Sequence, residues 1–176
     1  MSSGVGGLIE LLLLAVFLFF FLRWFVGVGI GAPFLPARRR DVADAFAIAN
    51  VTAADVVIDL GSGDGRFLGV AAKKGARVIG YELNPFLVWW SRFQLRTYQQ
   101  VQIYRKNLFE ADLKGVTVIF IFQMTHVMPR LAEKIHKEAP RARIISVAFD
   151  IPGYETKTRR GVVKELIPVD KNTKII

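Results

Sequence analysis

A glycine-rich turn flanked by acids is the part of this sequence best suited to binding a ligand. Residues 56–66 read Val-Val-Ile-Asp-Leu-Gly-Ser-Gly-Asp-Gly-Arg, an apolar β-branched run followed by glycines with G-x-G-x-G spacing. A helical pattern begins at Arg66, and the order strand, glycine turn, helix predicts a nucleotide-type site at the carboxyl end of a parallel strand. Glycine allows a positive φ and lets the backbone approach a ligand where a Cβ would collide.

The acids around the turn indicate which ligand it binds. Asp59 and Asp64 would repel the pyrophosphate of a dinucleotide, but they suit the ammonium group at the amino-acid end of S-adenosylmethionine. Glu82 ends the next predicted strand, about 20 residues past the turn, where an acid can accept hydrogen bonds from both ribose hydroxyls. This combination favours S-adenosylmethionine over a dinucleotide, and over a turn that only packs a strand against a helix.

Two motifs carry a resemblance to a known family. The turn 59–65 resembles motif I of the class I, seven-strand methyltransferases. The segment 81–88 is similar to that of the membrane-anchored protein-lysine methyltransferases that modify the mitochondrial ATP synthase c subunit and adenine nucleotide translocase. The resemblance covers about residues 33–154. It implies an α/β, Rossmann-like doubly wound sheet of seven strands, S-adenosyl-L-methionine as cofactor, and methylation of a lysine in a membrane-associated protein.

The expected cofactor site combines the turn with the loops after the next two strands. The family usually has an acid that bonds the adenine amino group where this chain has Asn107, whose carbonyl oxygen can still accept that hydrogen bond. Leu108 is then expected to lie against the adenine ring. The predicted cofactor-binding residues are Asp59, Gly61, Ser62, Gly63, Asp64, Gly65, Arg66, Glu82, Leu83, Asn84, Asn107 and Leu108.

The loop after the fourth strand is expected to line the methyl-transfer site. Many amine methyltransferases have an Asn/Asp-Pro-Pro-aromatic sequence there, whereas this chain has Gln-Met-Thr-His at 123–126, which argues against adenine-N6 or glutamine methylation. Gln123 and Thr125 can orient a neutral amine, and His126 either accepts its proton or is a solvated loop residue. Phe34 and Pro36 belong to a segment that, by the resemblance, shapes substrate access, although it also fits a rigid linker.

The N-terminal segment is apolar enough for a membrane span. Residues 8–30 are nearly all apolar, and their length matches a hydrocarbon core of ~30 Å at 1.5 Å per residue. No basic side chain precedes the segment, as a secretory signal would require, and the segment lacks the polar face of a surface helix. We expect a single-pass transmembrane anchor over 1–30, a linker and leading helix over 31–50, and the methyltransferase domain over 51–176.

Charge and composition limit the partners. The net charge is +9, and Glu10 and Arg23 cancel, so the excess lies outside the apolar segment. Arg23 lies in the C-terminal part of that segment and the arginines at 38–40 follow it, which places the domain on the cytoplasmic or mitochondrial matrix side by the positive-inside rule. Basic charge fits an anionic membrane surface or nucleic acid, and the anchor favours the membrane. Without cysteine and with two histidines, we expect no metal site.

Apolar periodicity predicts alternating strands and helices after the anchor. Asn84 can cap a helix that has Pro85 at its first position. We interpret the aromatic residues of that helix mainly as core, with one of two adjacent tryptophans exposed to lipid headgroups or a membrane-protein substrate (Phe86, Trp89, Trp90, Phe93). The predicted strands are 55–60, 77–81, 101–104, 116–122 and 143–148, with a hairpin of 162–169 and 173–176. The predicted helices are 41–50, 66–74, 85–99 and 129–138.

Three kinds of function are compatible with these patterns. The first is a membrane-anchored, S-adenosylmethionine-dependent methyltransferase of a lysine in a membrane protein. The second is a methyltransferase of a lipid or small lipophilic molecule. The third is a non-catalytic membrane scaffold that binds S-adenosylmethionine, which Asn107 and the missing motif after the fourth strand favour. A nucleic-acid methyltransferase fits the basic charge, but the predicted anchor argues against it.

Overall fold

The computed structural model describes residues 3–30 and 35–169 of the 176-residue chain. Contacts within the chain divide it into two units, Met1–Phe34 and Leu35–Ile176. The first unit contains helix α1, Ser3–Ile30, whose described side chains, those of residues 6–21, are exposed. No helix in the described ranges is both long enough and apolar enough to cross a membrane, so the predicted transmembrane helix lacks support from the structure.

The described part of the second unit is built on one sheet of seven strands in the order β3-β2-β1-β4-β5-β7-β6. Strands β1 to β5 pair in parallel, and β7 pairs antiparallel with both β5 and β6. The predicted seven-strand, doubly wound sheet is therefore confirmed. Its strands are β1 Val56–Leu60, β2 Arg77–Glu82, β3 Val101–Arg105, β4 Val118–Ile121, β5 Arg143–Val147, β6 Tyr154–Arg160 and β7 Val163–Pro168, and its helices are α2 Arg39–Ala49, α3 Arg66–Lys73, α4 Pro85–Gln94 and α5 Met128–Glu138.

The central strands are apolar on both faces, because helices cover both faces of the sheet. Side chains alternate between the faces along a strand. In β4, Val118 and Phe120 join the cluster that contains α2 and α3, whereas Ile119 and Ile121 join the cluster that contains α5. All four β4 side chains are buried. This two-sided core fixes the register of the strands whose ends carry the site.

A buried carboxylate holds together the edge of the sheet at which the parallel strands β1, β4 and β5 begin. Asp55 accepts hydrogen bonds from the Thr117 hydroxyl at 2.7 Å and from the Arg143 side chain. Thr117 directly precedes β4, and Arg143 is the first residue of β5. Burial favours the protonated form of Asp55, but these bonds and one from the Thr52 backbone lower its pKa to about 2. The starts of β1, β4 and β5 are thereby held together.

The terminal hairpin differs from the prediction. The predicted strand 162–169 is confirmed as β7, but its partner is β6, Tyr154–Arg160, which the apolar periodicity did not predict as a strand. Strand β7 is paired on both edges, by β5 and β6. The other predicted hairpin strand, 173–176, lies outside the described residues.

Helix α4 is shorter and more exposed than predicted. It ends at Gln94 rather than near residue 99. The Leu95 N–H makes the last helical hydrogen bond, to the Ser91 carbonyl, and the Tyr98 N–H then donates to the Leu95 carbonyl in a turn. The aromatic residues that we interpreted mainly as core are exposed, and the other face of the helix is buried. The exposed fractions are 64% for Phe86, 58% for Trp89, 39% for Trp90 and 49% for Phe93.

Candidate active site

The parallel strands bring most of the predicted site residues to one edge of the sheet. Strands β1, β2, β3 and β4 end at Leu60, Glu82, Arg105 and Ile121. Because the carboxyl ends of parallel strands share an edge, the glycine turn, the acid of β2 and the loops after β3 and β4 all lie there. The strand order reverses between β1 and β4, which is where open α/β sheets bind ligands.

Positive φ angles shape the glycine turn. The φ values are 112° at Gly61, 52° at Gly63 and 82° at Gly65, a region that residues with a Cβ rarely adopt. The Gly61 and Ser62 N–H groups both donate to the Tyr81 carbonyl, at 3.0 and 2.9 Å. The turn is thus fixed against the end of β2, and Gly65 caps the first turn of α3.

Glu82 connects the glycine turn to the start of α4. One carboxylate oxygen accepts from the Gly63 N–H at 3.0 Å, and the other accepts from the Asn84 N–H at 2.7 Å. A carboxylate has about four acceptor positions, so each oxygen keeps one for a ribose hydroxyl. The backbone bonds hold the carboxylate in one orientation without saturating it.

Three carboxyl groups, those of Asp59, Asp64 and Glu82, lie close enough in the site to interact electrostatically. Asp59 is 4% exposed, and its burial, together with the charges of Glu82 and Asp64, raises its pKa to about 8. Such a cluster is relieved by a cation in its midst, because a nearby positive charge favours the ionised carboxylates. S-adenosylmethionine carries a sulfonium and an ammonium group, so this group of carboxylates fits the cofactor.

Arg66 serves the turn itself. Its Nε donates to Asp64 Oδ1 at 2.9 Å, and its Nη1 donates to the carbonyl of Ala37, ahead of α2. Burial alone would raise the pKa of Asp64, but the hydrogen bonds and charge of Arg66 hold that pKa below its usual value. Arg66 therefore links the turn to the segment before α2, and Asp64, which we expected to meet the ligand's ammonium, already has a cationic partner.

Ser62 is buried beside the turn. Its hydroxyl is the one buried side-chain oxygen of the turn that finds no hydrogen-bond partner among the described residues. A Cβ added at Gly80 would lie 2.8 Å from it, so β2 leaves room for the serine only because residue 80 is glycine. An unpartnered buried hydroxyl at this position fits a polar ligand group.

Asn107 and Asn84 both cap helices. The Asn107 carbonyl oxygen accepts from the Phe109 N–H at 3.0 Å and caps a short 3-10 helix, Leu108–Glu110. Its remaining acceptor position is the one available to an adenine amino group. Asn84 caps α4, as predicted, by accepting from the Phe86 and Leu87 N–H groups. Leu83 is exposed and Leu108 half-buried, next to these caps.

Gln123 lies against the glycine turn. Its side-chain N–H donates to the Leu60 carbonyl at 2.9 Å, and a Cβ added at Gly61 would lie 1.9 Å from the same nitrogen. Thr125 and His126 are exposed in a short 3-10 helix, Thr125–Val127. Pro36 is exposed ahead of α2, and Phe34 lies outside the described residues.

The structure adds an aromatic pair that the sequence patterns did not predict. Phe122 directly follows β4 and Phe149 lies two residues past β5, and their rings stack with centroids 6.3 Å apart. The Ser146 hydroxyl donates to the Phe149 carbonyl at 2.6 Å, and Ala148 between them has a φ of 70°. An aromatic residue just past each of two neighbouring parallel strands was the available signal.

Comparison with known proteins identifies the domain. Residues 59–158 match the sequence model of the ANTKMT methyltransferase domain. The chain belongs to this family. It is 33% identical over 126 residues to the lysine N-methyltransferase of the ATP synthase c subunit from Xenopus laevis, a match that covers 69% of this chain and 55% of the relative. It is 32% identical over 131 residues to a protein-lysine N-methyltransferase of Saccharolobus islandicus, covering 71% of this chain and 81% of the relative.

A solved structure with the same fold holds a cofactor product. The RNA methyltransferase of Salinibacter ruber in complex with S-adenosyl-L-homocysteine superposes with a TM-score of 0.71 and 25% identity, over 81% of this chain and 98% of that one. The resemblance read from the sequence is therefore confirmed, and S-adenosylmethionine is the cofactor of this methyltransferase domain. The chain spans about half the length of the vertebrate relatives that it matches.

Proposed function

We propose that this methyltransferase transfers a methyl group from S-adenosylmethionine to a lysine side chain of a membrane-associated protein. The observation that carries the proposal is the acidic carboxyl edge, where Glu82 joins the glycine turn to α4. The names of the relatives, which are lysine N-methyltransferases, support lysine as the acceptor. The sequence 123–126 supports this choice too, because it lacks the Asn/Asp-Pro-Pro-aromatic motif of adenine-N6 methylation.

The chain's residues would hold the cofactor in a fixed direction. When bound, S-adenosylmethionine supplies an activated methyl group on a sulfonium. Glu82 would accept from the ribose hydroxyls, Asp59 would face its positive charges, and Asn107 and Leu108 would meet the adenine. Asp64, already paired with Arg66, would add negative charge nearby. Because two backbone hydrogen bonds preorganise the Glu82 carboxylate, its main contribution is alignment.

The acceptor must be a neutral amine. A lysine with a reference pKa of about 10.4 is almost fully protonated at pH 7, and burial among apolar groups lowers that pKa. We assign this burial to Phe122 and Phe149, whose stacked rings lie past β4 and β5 next to Gln123. Gln123 holds the loop against β1, and Thr125 and His126 stay candidates for contact with the amine. Asp59 is assigned to the cofactor, and among the described residues the loops after β4 and β5 contain no buried titratable group, so the proton would leave to water.

We also propose that the chain is anchored in a membrane, with the domain on the cytoplasmic or mitochondrial matrix side. The apolar sequence 8–30 and the arginines at 23 and 38–40 support this localisation. A membrane-associated substrate would then be at a raised effective concentration near the site. Lipid contact through the N-terminal segment belongs to the same proposal.

Label transfer tests the function. Full-length protein is incubated with methyl-labelled S-adenosylmethionine and membranes from cells that lack it, and the products are hydrolysed and separated. The proposal predicts label in methyl-lysine. Label in the lipid fraction would favour a lipid or small-molecule methyltransferase, and label in nucleic acid would favour a nucleic-acid methyltransferase; either overturns the lysine assignment. Cofactor binding without any label would favour a non-catalytic scaffold.

A further inference from the structure

Helix α4 is apolar on two opposite faces. One face, with Leu87, Val88 and Ser91, is buried against the domain. The other, which we call the α4 aromatic face, consists of four exposed residues: Phe86, Trp89, Trp90 and Phe93. Contiguous exposed apolar side chains commonly mark an interaction site, whereas apolar residues scattered singly over a surface do not.

The four rings form one continuous surface. Trp89 is central, with ring centroids 6.0 Å from both Phe86 and Phe93 and 6.3 Å from Trp90. Trp90 also lies 6.3 Å from Phe93. These are the separations of aromatic pairs in contact. The rings therefore occupy fixed positions in an exposed patch, and a partner can cover all of them at once.

The charged residues in the sequence segment that contains the aromatic face are all cations. The sequence contains no Asp or Glu between Glu82 and Glu110, but it contains Arg92, Arg96, Arg105 and Lys106. All four are exposed, and none takes part in the ion pairs of the described residues.

The cations are placed beside the rings. The Arg96 guanidinium carbon lies 4.4 Å from the Phe93 ring centroid. Arg92 donates to the Ile103 carbonyl, which holds it between α4 and the edge strand β3. A surface groove lies beside the rings, and its lining residues are Pro85, Val88, Trp89, Arg92, Phe93 and Arg105. Guanidinium groups beside aromatic rings suit a phosphate next to acyl chains.

We propose that the α4 aromatic face docks on an anionic lipid surface. Tryptophan is enriched at the membrane–water interface because it has an apolar body and a polar N–H, and anionic headgroups attract exposed Lys and Arg. A second copy of this chain is disfavoured, because it would bring the same four cations against each other. The face is part of Leu35–Ile176, so the docking depends neither on the apolar N-terminal segment nor on the proposed lysine activity.

Docking through α4 would also orient the site. The helix begins directly after Asn84, whose backbone N–H is bound by Glu82, so its first aromatic residue lies close to the carboxyl edge of the sheet. With this helix on the bilayer, the cofactor loops would lie near the lipid surface. Target groups just outside the bilayer would then be within reach.

Tryptophan fluorescence tests the docking in the full-length chain. The sequence has three tryptophans, so Trp24→Phe leaves Trp89 and Trp90 as the reporters without changing α4. The protein is mixed with vesicles of brominated phosphatidylcholine, with or without added phosphatidylglycerol. We expect a blue shift and bromine quenching that are stronger with the anionic lipid and weaken with salt. Unchanged, water-exposed emission with both vesicles would overturn the proposal.

Charge variants test the anionic component. In the Trp24→Phe chain, Arg96→Gln and Arg105→Gln should each raise the anionic-lipid concentration needed for half-maximal quenching about fivefold. Arg141→Gln is the matched control, because it removes an exposed arginine on the loop before β5 and should change little. Equal effects of all three variants would refute the assigned face. A blue shift that needs protein concentration but no lipid, or that needs membrane proteins but not pure vesicles, would instead establish a protein partner and overturn the lipid assignment.

Discussion

At the scale of single residues, we propose Glu82 as the ribose-binding residue of the cofactor site. Its two oxygens bind the Gly63 and Asn84 N–H groups and still have acceptor positions for the ribose. The Glu82→Gln substitution replaces one acceptor oxygen by a donor, so we expect S-adenosylmethionine affinity to fall on the order of ten- to a hundredfold. Isothermal titration calorimetry measures this affinity.

The control for Glu82 is Glu133, an exposed glutamate on α5. Glu133→Gln makes the same chemical change away from the carboxyl edge and should leave the affinity for S-adenosylmethionine as it is. If Glu82→Gln behaved like Glu133→Gln, the cofactor would bind elsewhere in the chain.

Asp59 makes the stability of the unliganded protein depend on pH. Its folded-state pKa is about 8, above the usual value of 3.8, because the group is buried and lies near two other carboxylates. Between those two values the folded state retains a proton that the unfolded state releases, so this group lowers the free energy of unfolding as pH rises. We expect Asp59→Asn, which resembles the protonated acid, to remove this pH-dependent decrease in the free energy of unfolding.

Urea unfolding of wild type and Asp59→Asn at pH 5 and pH 8 checks this expectation. The stability of the variant relative to wild type should be higher at pH 8 than at pH 5. An identical difference at both pH values would mean that Asp59 titrates normally in the folded protein. Because a bound cation favours the ionised acid, S-adenosylmethionine binding near pH 7 should also release protons.

At the scale of elements, the β1 turn and the loop after β4 meet where Gln123 lies against Gly61. A Cβ at residue 61 would lie 1.9 Å from Gln123 Nε2, and the φ of 112° is unfavourable for alanine. We expect Gly61→Ala to displace Gln123, to lower the free energy of unfolding by about 1–3 kcal/mol and to weaken cofactor binding. Thermal unfolding and calorimetry measure the two effects.

Gly115 offers a matched control for that substitution. Its φ is 73°, but nothing lies within 4 Å of a Cβ added there. Gly115→Ala therefore tests backbone strain without the clash, and it should reduce stability while cofactor affinity stays as in wild type. Equal losses of cofactor affinity in both variants would show that the Gln123 contact does not shape the site.

The elements of the fold could be predicted where the signal is local. The strand, the glycine turn and the start of α3 follow from residues 56–66 alone, and the Asn84 cap follows from its neighbour Pro85. The face of α4 was predicted wrongly, because helical spacing of aromatic residues is the same for a core face and an exposed face. Its burial depends on which of two apolar faces meets the sheet, and that is a tertiary property.

Long-range pairing explains the remaining differences. β7 was predicted correctly, but its partner β6 was not, since Tyr154–Arg160 is rich in charged residues and carries no apolar alternation. The bond from Arg66 to the Ala37 carbonyl spans 29 residues, and the Phe122–Phe149 pair joins two loops. Residue types and spacing do not specify such contacts. The acids at 59, 64 and 82 were found because strand ends of known direction place them together.

At the scale of the whole molecule, membrane attachment gives a prediction about the apolar segment. If residues 8–30 anchor the chain, it should remain in the membrane pellet after alkaline carbonate extraction, which strips peripheral proteins. Arginine is costly at a bilayer centre, about 2.5–3.5 kcal/mol per residue, so Leu13→Arg with Leu14→Arg should move the protein to the supernatant. Leu13→Ala with Leu14→Ala is the control, and release of all three forms would contradict anchoring.

The proposed function combines cofactor binding at the carboxyl edge of the sheet with methylation of a lysine in a membrane-associated protein. Mapping the modified residue tests this combination most directly. Membranes treated with labelled S-adenosylmethionine and wild-type protein, Glu82→Gln or Glu133→Gln are digested, and the labelled peptide is identified by mass spectrometry. We expect one membrane protein to carry methyl-lysine with wild type and Glu133→Gln, and at most a trace with Glu82→Gln. Label on any group other than lysine, or undiminished label with Glu82→Gln, would contradict the proposed function.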